Sequence, residues 1–150
     1  MRAVVQRVSE AGVTIGDERV CRIGTGLVVL VGVEEGDGPD DVAWLAGKIA
    51  AMRIFADDEG KMNRSVREVE GDTLVVSQFT LHASTRKGNR PSFLRAARPE
   101  EAVPLYESFL EAIARETGRP PLRGVFAADM KVSLVNDGPV TILIDSRRRE

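Results

Sequence analysis

A run of polar side chains, Ser77-Gln78-Phe79-Thr80, ends an otherwise apolar strand and is the first place where this sequence could carry chemistry. A hydroxyl nucleophile normally needs a neighbouring base that takes its proton. His82 is the only imidazole, and in a continued strand it would lie roughly 6–7 Å from Thr80 on the same face. The spacing therefore disfavours a serine–histidine hydrolase. Polar residues at a strand end either line a site or simply meet solvent.

A second candidate is the dipeptide Gly138-Pro139. Two apolar, β-branched runs flank Asn136-Asp137-Gly138, which is a strong hairpin signal. Pro139 follows at once, and it lacks the N–H that a hairpin ladder would use. Because an X-Pro bond adopts cis at low cost, this dipeptide can present bare backbone carbonyls in an unusual direction. We predict a hairpin over 130–145 whose tip is either a decorated turn or part of a site.

The segment from His82 to Pro99 is locally basic. It carries no carboxylate and five bases (Arg86, Lys87, Arg90, Arg95, Arg98), although the whole chain has a net charge of −2. This local charge suits a phosphate-bearing partner, and a merely solvated loop is the alternative. Gly88-Asn89 predicts a tight turn within the loop. Arg86, Lys87 and Arg90 are our candidates for contact with nucleic acid.

Composition narrows the class of protein. At 150 residues, with 43% hydrophobic and 29% charged residues, the chain is predicted to form one soluble domain, 1–150. A single cysteine, Cys21, and a single histidine leave no disulfide and no zinc cluster. Because no glycine-rich phosphate loop follows a strand, we expect no nucleotide cofactor, and the lack of cysteine and histidine ligands leads us to expect no metal. Without an N-terminal signal or a membrane-length apolar run, we expect a cytoplasmic protein that makes no membrane contact.

The elements that must hold these candidates are strands at both ends of the chain and helices between them. The first predicted helix starts near Pro39, and the second spans Glu100–Thr117. We assign no regular structure to the segment 61–71. The predicted strands are Ala3–Val8, Val13–Ile15, Val20–Ile23, Leu27–Val31, Arg53–Ala56, Thr73–Leu81 and Val125–Ala127, followed by the hairpin. This order predicts an α+β fold: mostly antiparallel sheets forming a partial β-barrel with two main helices packed against it.

With both motifs in view in this order, the sequence resembles the D-aminoacyl-tRNA deacylases (D-tyrosyl-tRNA deacylase family). The likeness runs from Met1 to Ser146. Besides Ser77–Leu81 and Gly138–Thr141, it includes Arg53-Ile54-Phe55, Gly60–Asn63, Lys87–Phe93 and Ala128–Asp137.

The resemblance implies a cytoplasmic homodimer that hydrolyses the ester between a D-amino acid and tRNA, with glycyl-tRNA (glycine mischarged on tRNA-Ala) as a second substrate. It implies that Ser77, Gln78, Phe79 and Thr80 form the catalytic strand end. It further implies that a cis Gly138-Pro139 tip enters that site from the partner subunit and rejects L-amino acids. A rigid tip of backbone carbonyls would bind the substrate's amino group without reading its side chain.

Two other functions stay open at this stage. One is a non-catalytic dimeric module that binds nucleic-acid ends through the basic loop, which would show steep salt dependence and no turnover. The other is a small-molecule esterase that uses Ser77 or Thr80 with His82, which would lose its activity on His82→Ala.

Overall fold

Two long antiparallel strands, the first and the last of the chain, form the spine of the molecule. The computed structural model describes all residues, 1–150. In chain order its elements are β1 (Arg2–Ile15), β2 (Glu18–Ile23), β3 (Gly26–Gly32), α1 (Pro39–Ala51), β4 (Phe55–Ala56), β5 (Met62–Arg64), β6 (Asp72–Ser77), a 3₁₀ helix (Phe79–His82), α2 (Pro99–Thr117), β7 (Leu122–Arg123) and β8 (Lys131–Asp145).

Strand β1 is shared between two parts of one sheet. Its first half pairs with β3 and its second half with β2, while β8 runs along its other edge. Register shifts between Gln6 and Glu10 bend β1, and such irregularities increase the local twist, so the sheet curls. Strands β3, β6 and β7 continue the sheet in parallel. The predicted α+β fold with a partial barrel and two helices is confirmed, and the parallel pairs are an addition to it.

The core has two parts, one on each face of the sheet. On one face α1 and α2 pack against β1 and β3 around residues such as Leu45, Ile49 and Phe109, which are fully buried. The curled face encloses a smaller cluster that includes Val13, Val28 and Leu74. Strand β3 contributes to both clusters, which explains its continuous apolar sequence.

Local sequence signals set the helix ends. Helix α1 begins at Pro39, and the Asp41 carboxylate accepts a hydrogen bond from the Gly38 N–H at 2.9 Å. Helix α2 ends before Gly118, which adopts the left-handed conformation with φ of 77°. Neither helix is long and apolar enough to cross a membrane. No group of three or more histidine, cysteine or acidic side chains is arranged to hold a metal ion.

The predicted hairpin is wrong, because β8 does not reverse. Residues 131–136 and 141–145 both pair with β1, so Asn136 lies opposite Val8 and Thr141 opposite Gln6. The intervening residues, Asp137 to Val140, bulge out of one continuous strand. Two further predictions fail nearby: the segment 125–127 is a turn, and the strand from Thr73 ends at Ser77 instead of Leu81.

Candidate active site

The strand end at Ser77 turns out of the sheet. The Gln78 N–H donates to the Val31 carbonyl at 2.7 Å, which ties this residue to the end of β3. The chain then enters the 3₁₀ helix at Phe79. The four predicted catalytic residues, Ser77 to Thr80, therefore lie together but do not alternate between two faces as a strand would require. Phe79 is 57% exposed, whereas the other three are partly buried.

A hydrogen bond inside this segment fixes the Thr80 hydroxyl. The Gln78 side-chain amide donates to Thr80 Oγ1 at 2.5 Å. A hydroxyl oxygen that accepts a hydrogen bond from an amide is oriented by that amide, and an amide N–H cannot act as a base toward it. As the first two residues of the 3₁₀ helix, Phe79 and Thr80 have backbone N–H groups with no acceptor inside that helix.

A cavity of about 580 Å³ opens beside the strand end. It has Ser77, Gln78 and Phe79 on one wall, and the residues of its other walls are mostly apolar, among them Ala97, Pro99, Ala102, Tyr106, Phe126, Met130 and Val132. The Tyr106 hydroxyl donates to the Val75 carbonyl at 3.2 Å, and burial raises the pKa of Tyr106 to about 12. Tyr106 therefore stays protonated at neutral pH and shapes the cavity instead of acting as a base.

The sequence did not single out the far walls of this cavity. Tyr106 lies on the apolar face of α2 and reads as an ordinary core residue. Phe126 and Met130 belong to the segment between β7 and β8, where Ala127 has a positive φ of 61°. A positive φ is unusual for alanine, and no local sequence pattern predicts it at Ala127.

His82 does not serve the hydroxyl groups. It ends the 3₁₀ helix, is 1% exposed, and packs beneath Gly32, so its predicted place on the same strand face as Thr80 is wrong. Neither ring nitrogen makes a hydrogen bond, and Nδ1 lies 3.8 Å from Glu34 Oε2. Burial lowers the pKa of His82 below its ordinary value, against the opposing effects of the Gly32 backbone and the Glu34 carboxylate. The hypothesis of an esterase that uses His82 as its general base therefore has no support in this geometry.

We expect His82→Asn to change how the stability of the protein depends on pH. Because the folded-state pKa of His82 lies below its unfolded value of 6.5, only the unfolded chain takes up this proton as the pH falls below 6.5. The free energy of unfolding of wild type should therefore decrease from pH 6.5 to 5, and that of the variant should decrease less. Urea unfolding at several pH values measures this. Equal slopes in the two proteins would contradict it.

The tip at Gly138-Pro139 is built by its neighbours in β8. The Asn136 side chain bonds both backbone polar groups of Val140, in place of a neighbouring strand. Its Oδ1 accepts from the Val140 N–H at 2.8 Å, and its Nδ2 donates to the Val140 carbonyl at 3.1 Å. The Gly138–Pro139 peptide bond is cis, and Asp137, Gly138 and Pro139 are all exposed. The backbone of this tip therefore faces solvent.

Arg7 of β1 anchors the tip to the rest of the fold. Its Nε donates to the Asp137 carbonyl at 2.7 Å, and its Nη1 donates to the Ile54 carbonyl at 2.5 Å. A side chain with two charge-assisted hydrogen bonds to backbone carbonyls holds both segments in one geometry.

Within one chain, the tip and the strand end lie apart. Arg2 donates to the Leu81 carbonyl at 2.8 Å, next to the strand end, whereas Arg7 contacts the tip. These two arginines are five positions apart on β1, which is roughly 17 Å along an extended strand.

The basic loop is closed at its base and open to solvent. Ser84 and Ser92 form an antiparallel bridge with hydrogen bonds of 2.8 and 2.9 Å. Arg86, Lys87 and Arg90 are exposed between them, as a surface for phosphate groups requires. Arg95, one of the five bases counted in the sequence, is instead paired with Glu34 at 2.5 Å. Burial opposes ionisation of Glu34, but the hydrogen bond and charge of Arg95, together with other nearby positive charge that includes Arg147, lower the pKa of Glu34 below its ordinary value.

Comparison with known proteins gives one consistent family. The family model for D-Tyr-tRNA(Tyr) deacylase matches residues 4–145. Proteins named D-aminoacyl-tRNA deacylase from Akkermansia muciniphila and Opitutus terrae are each 63% identical over 150 residues, covering 100% of both chains. The protein of that name from Flavobacterium johnsoniae is 55% identical over the same length.

Solved structures share the fold. A c-Myc DNA unwinding element binding protein superposes with a TM-score of 0.91 at 40% identity, covering 97% of this chain and 98% of the other. A probable eukaryotic D-amino acid tRNA deacylase superposes with a TM-score of 0.81 over 95% of this chain, and at 20% identity this second likeness concerns the fold alone.

Proposed function

The chain belongs to the D-Tyr-tRNA(Tyr) deacylase family, and from that membership we propose that it hydrolyses the ester between a D-amino acid and the 3′ end of tRNA. The observation that carries the proposal is the junction of the Ser77–Thr80 strand end with a largely apolar cavity. The products are free tRNA and the D-amino acid, and we expect the reaction to take place in the cytoplasm.

In this proposal the strand end receives the ester and the cavity receives the terminal nucleoside. A cavity of about 580 Å³ with apolar walls suits a nucleoside. An enzyme that accepts many D-amino acids should not enclose their side chains, so the amino acid is left outside the cavity. The Phe79 and Thr80 N–H groups are our candidates for stabilising the oxyanion.

A strong base is not required in this scheme. An aminoacyl ester is already activated, so a positioned water and oxyanion donors can suffice. Thr80 Oγ1 accepts a hydrogen bond from Gln78, which favours a role in orientation over nucleophilic attack. In this scheme the terminal 2′-hydroxyl of the tRNA assists in proton transfer.

Chiral selection is assigned to Gly138 and Pro139 of a partner subunit in a homodimer. The exposed tip carries backbone carbonyls that can accept hydrogen bonds from the substrate's α-amino group. When its α-amino group is hydrogen-bonded to these carbonyls, an L-amino acid would direct its side chain into the tip, whereas the side chain of a D-amino acid would point away from it. Glycine has no side chain to clash, so glycyl-tRNA, including glycine mischarged on tRNA-Ala, is a second expected substrate.

The basic loop is assigned to the tRNA backbone, and replacing Arg86 and Lys87 together by alanine tests this. We expect the KM for tRNA to rise several-fold, and the slope of log KM against log salt to become less steep by roughly one to two units, since two phosphate contacts are lost. Steady-state deacylation at several salt concentrations measures both. The matched control is Arg19→Ala with Arg22→Ala, two exposed arginines on β2. A loop variant that behaves like this control would remove the loop from tRNA binding.

Deacylation of D-tyrosyl-, L-tyrosyl- and glycyl-tRNA by the purified protein, with and without EDTA, tests the function directly. We expect the D and glycyl esters to be hydrolysed, the L ester to be spared, and EDTA to have no effect. If all three esters survive while the RNA is still bound, the non-catalytic nucleic-acid-end binding module replaces the enzyme. That second candidate is favoured by the exposed basic loop and by the likeness to a DNA-element binding protein.

A further inference from the structure

Three large apolar side chains are exposed at or near the strand end. Phe79, Phe93 and Leu94 are 57%, 37% and 88% exposed, and the two phenylalanine rings meet edge to face with centroids 5.2 Å apart. We call these three residues the Phe–Leu patch. Contiguous exposed apolar side chains on a soluble protein mark interaction surfaces more often than scattered ones do.

The backbone under this patch is firmly held. Residues 93–96 form a turn in which the Ala96 N–H donates to the Phe93 carbonyl at 3.0 Å. The Ala97 N–H donates to Val33, and the Glu35 N–H to Arg95, each at 3.0 Å. Leu94 therefore sits at the centre of a fixed turn, where glycine, asparagine or serine is usual. The fold itself gains little from a leucine side chain that is 88% exposed there.

The charges around the patch indicate what kind of partner it fits. No carboxylate occurs between residues 83 and 98, and Arg86, Lys87 and Arg90 are exposed on the adjoining loop. Arg98 is exposed on the other side. Aromatic faces beside free cations are the combination that binds single-stranded nucleic acid, through base stacking and phosphate pairing.

We propose that the Phe–Leu patch binds the penultimate nucleotide of the substrate RNA, the unpaired nucleotide that precedes the esterified one. This rests on the proposed function. Phe79 lines the cavity and also contacts Phe93, so an RNA end whose last nucleoside enters the cavity has a path past Phe93 and Leu94. Its phosphates then run toward Arg86 and Lys87. Phe93 and Leu94 are binding residues for the RNA end and lie outside the reacting centre.

Two substrates with the same ester but different RNA portions distinguish binding of the RNA end from an effect on the hydrolysis step. D-Tyrosyl-tRNA carries the penultimate nucleotide, and 3′-O-D-tyrosyl-adenosine does not. We expect Leu94→Ser to lower the ratio of kcat/KM on the tRNA to kcat/KM on the adenosyl ester by about fivefold or more, through KM, since the base loses its apolar contact with the leucine side chain. Phe93→Leu should lower the same ratio. The control is Val20→Ser, a 41% exposed position on β2, which should leave the ratio unchanged.

An unchanged ratio in Leu94→Ser, or an equal loss on both esters, would overturn the proposal. So would a shift of Leu94→Ser toward the monomer on gel filtration, because the patch would then be a contact between copies of the chain. If wild type hydrolyses neither ester, the proposed function fails, and the patch is tested by fluorescence anisotropy with a labelled oligonucleotide that ends in CCA. Weaker binding by Leu94→Ser, about fivefold, supports the patch, and equal binding rejects it.

Discussion

Replacing Gly138 by alanine is expected to lower kcat/KM for D-tyrosyl-tRNA by about 100-fold or more, because small displacements of a positioning group cost that much. A Cβ at this position would lie 2.6 Å from the Val140 nitrogen and 2.8 Å from Val140 Cγ2. Both atoms belong to the tip itself, so the tip must open to admit the methyl group. The same Cβ would also occupy the space that the proposal reserves for the substrate's Cα.

The fold should survive this change, since the tip is exposed and its flanks pair with β1 independently. Circular dichroism and thermal unfolding check that point. Gly24→Ala is the matched control, because a Cβ there meets nothing within 4 Å. A folded Gly138→Ala protein that retains full activity would remove the tip from the site.

The second large effect is expected at Arg7. Arg7→Ala removes the hydrogen bonds to the Asp137 and Ile54 carbonyls, so the tip loses the side chain that fixes its position relative to Ile54. Each such charge-assisted bond contributes about 1.5–3 kcal/mol, so we expect a loss in kcat/KM of roughly 10- to 100-fold. Arg7→Lys should remain impaired, because one ammonium cannot reproduce the fork of the guanidinium.

Arg22→Ala is the control for charge removal. Arg22 lies on β2, is 60% exposed, and pairs with Glu10 at 2.7 Å. Exposed pairs of this kind contribute little, so its kinetics should match those of wild type. Arg7 variants with wild-type kcat/KM would show that the tip keeps its geometry without this anchor.

Elements with strong local signals were predictable from the sequence. Strand β3 reads as a continuous apolar run, and both helices carry proline at the start and a regular apolar face. The hairpin failed because its turn signal is local, whereas β8 is fixed by β1, more than 100 residues away. Asn136, which would serve in a turn, instead bridges the bulge with its side chain. Long-range pairing outweighed turn propensity.

The candidate site was predictable only in part, for similar reasons. Residue type alone singled out Ser77–Thr80 and Gly138-Pro139, because polar groups and a Gly-Pro dipeptide are unusual in strands. The far cavity walls were hidden, since Tyr106 has the spacing of a core residue and the turn at Ala127 depends on tertiary packing. The resemblance to the family supplied the link between the two motifs, which no spacing in the sequence shows.

We propose that each active site combines the strand end of one subunit with the tip of its partner. Mixed dimers test this arrangement most directly. One chain carries Gly138→Ala, and the other carries Gln78→Ala with Thr80→Ala, which removes the hydrogen bond inside the strand end. Two different tags permit purification of the mixed dimer. The tags belong at the C-terminus, because the Met1 amino group is buried against Asp37 at 2.7 Å.

If the tip acts in trans, the mixed dimer has one site with an intact strand end and an intact tip, and the other site carries both changes. In a symmetric dimer this predicts about half of the wild-type kcat on D-tyrosyl-tRNA, from two parents that are each nearly inactive. A mixed dimer no more active than the mean of its two parents would contradict a site completed by the partner chain.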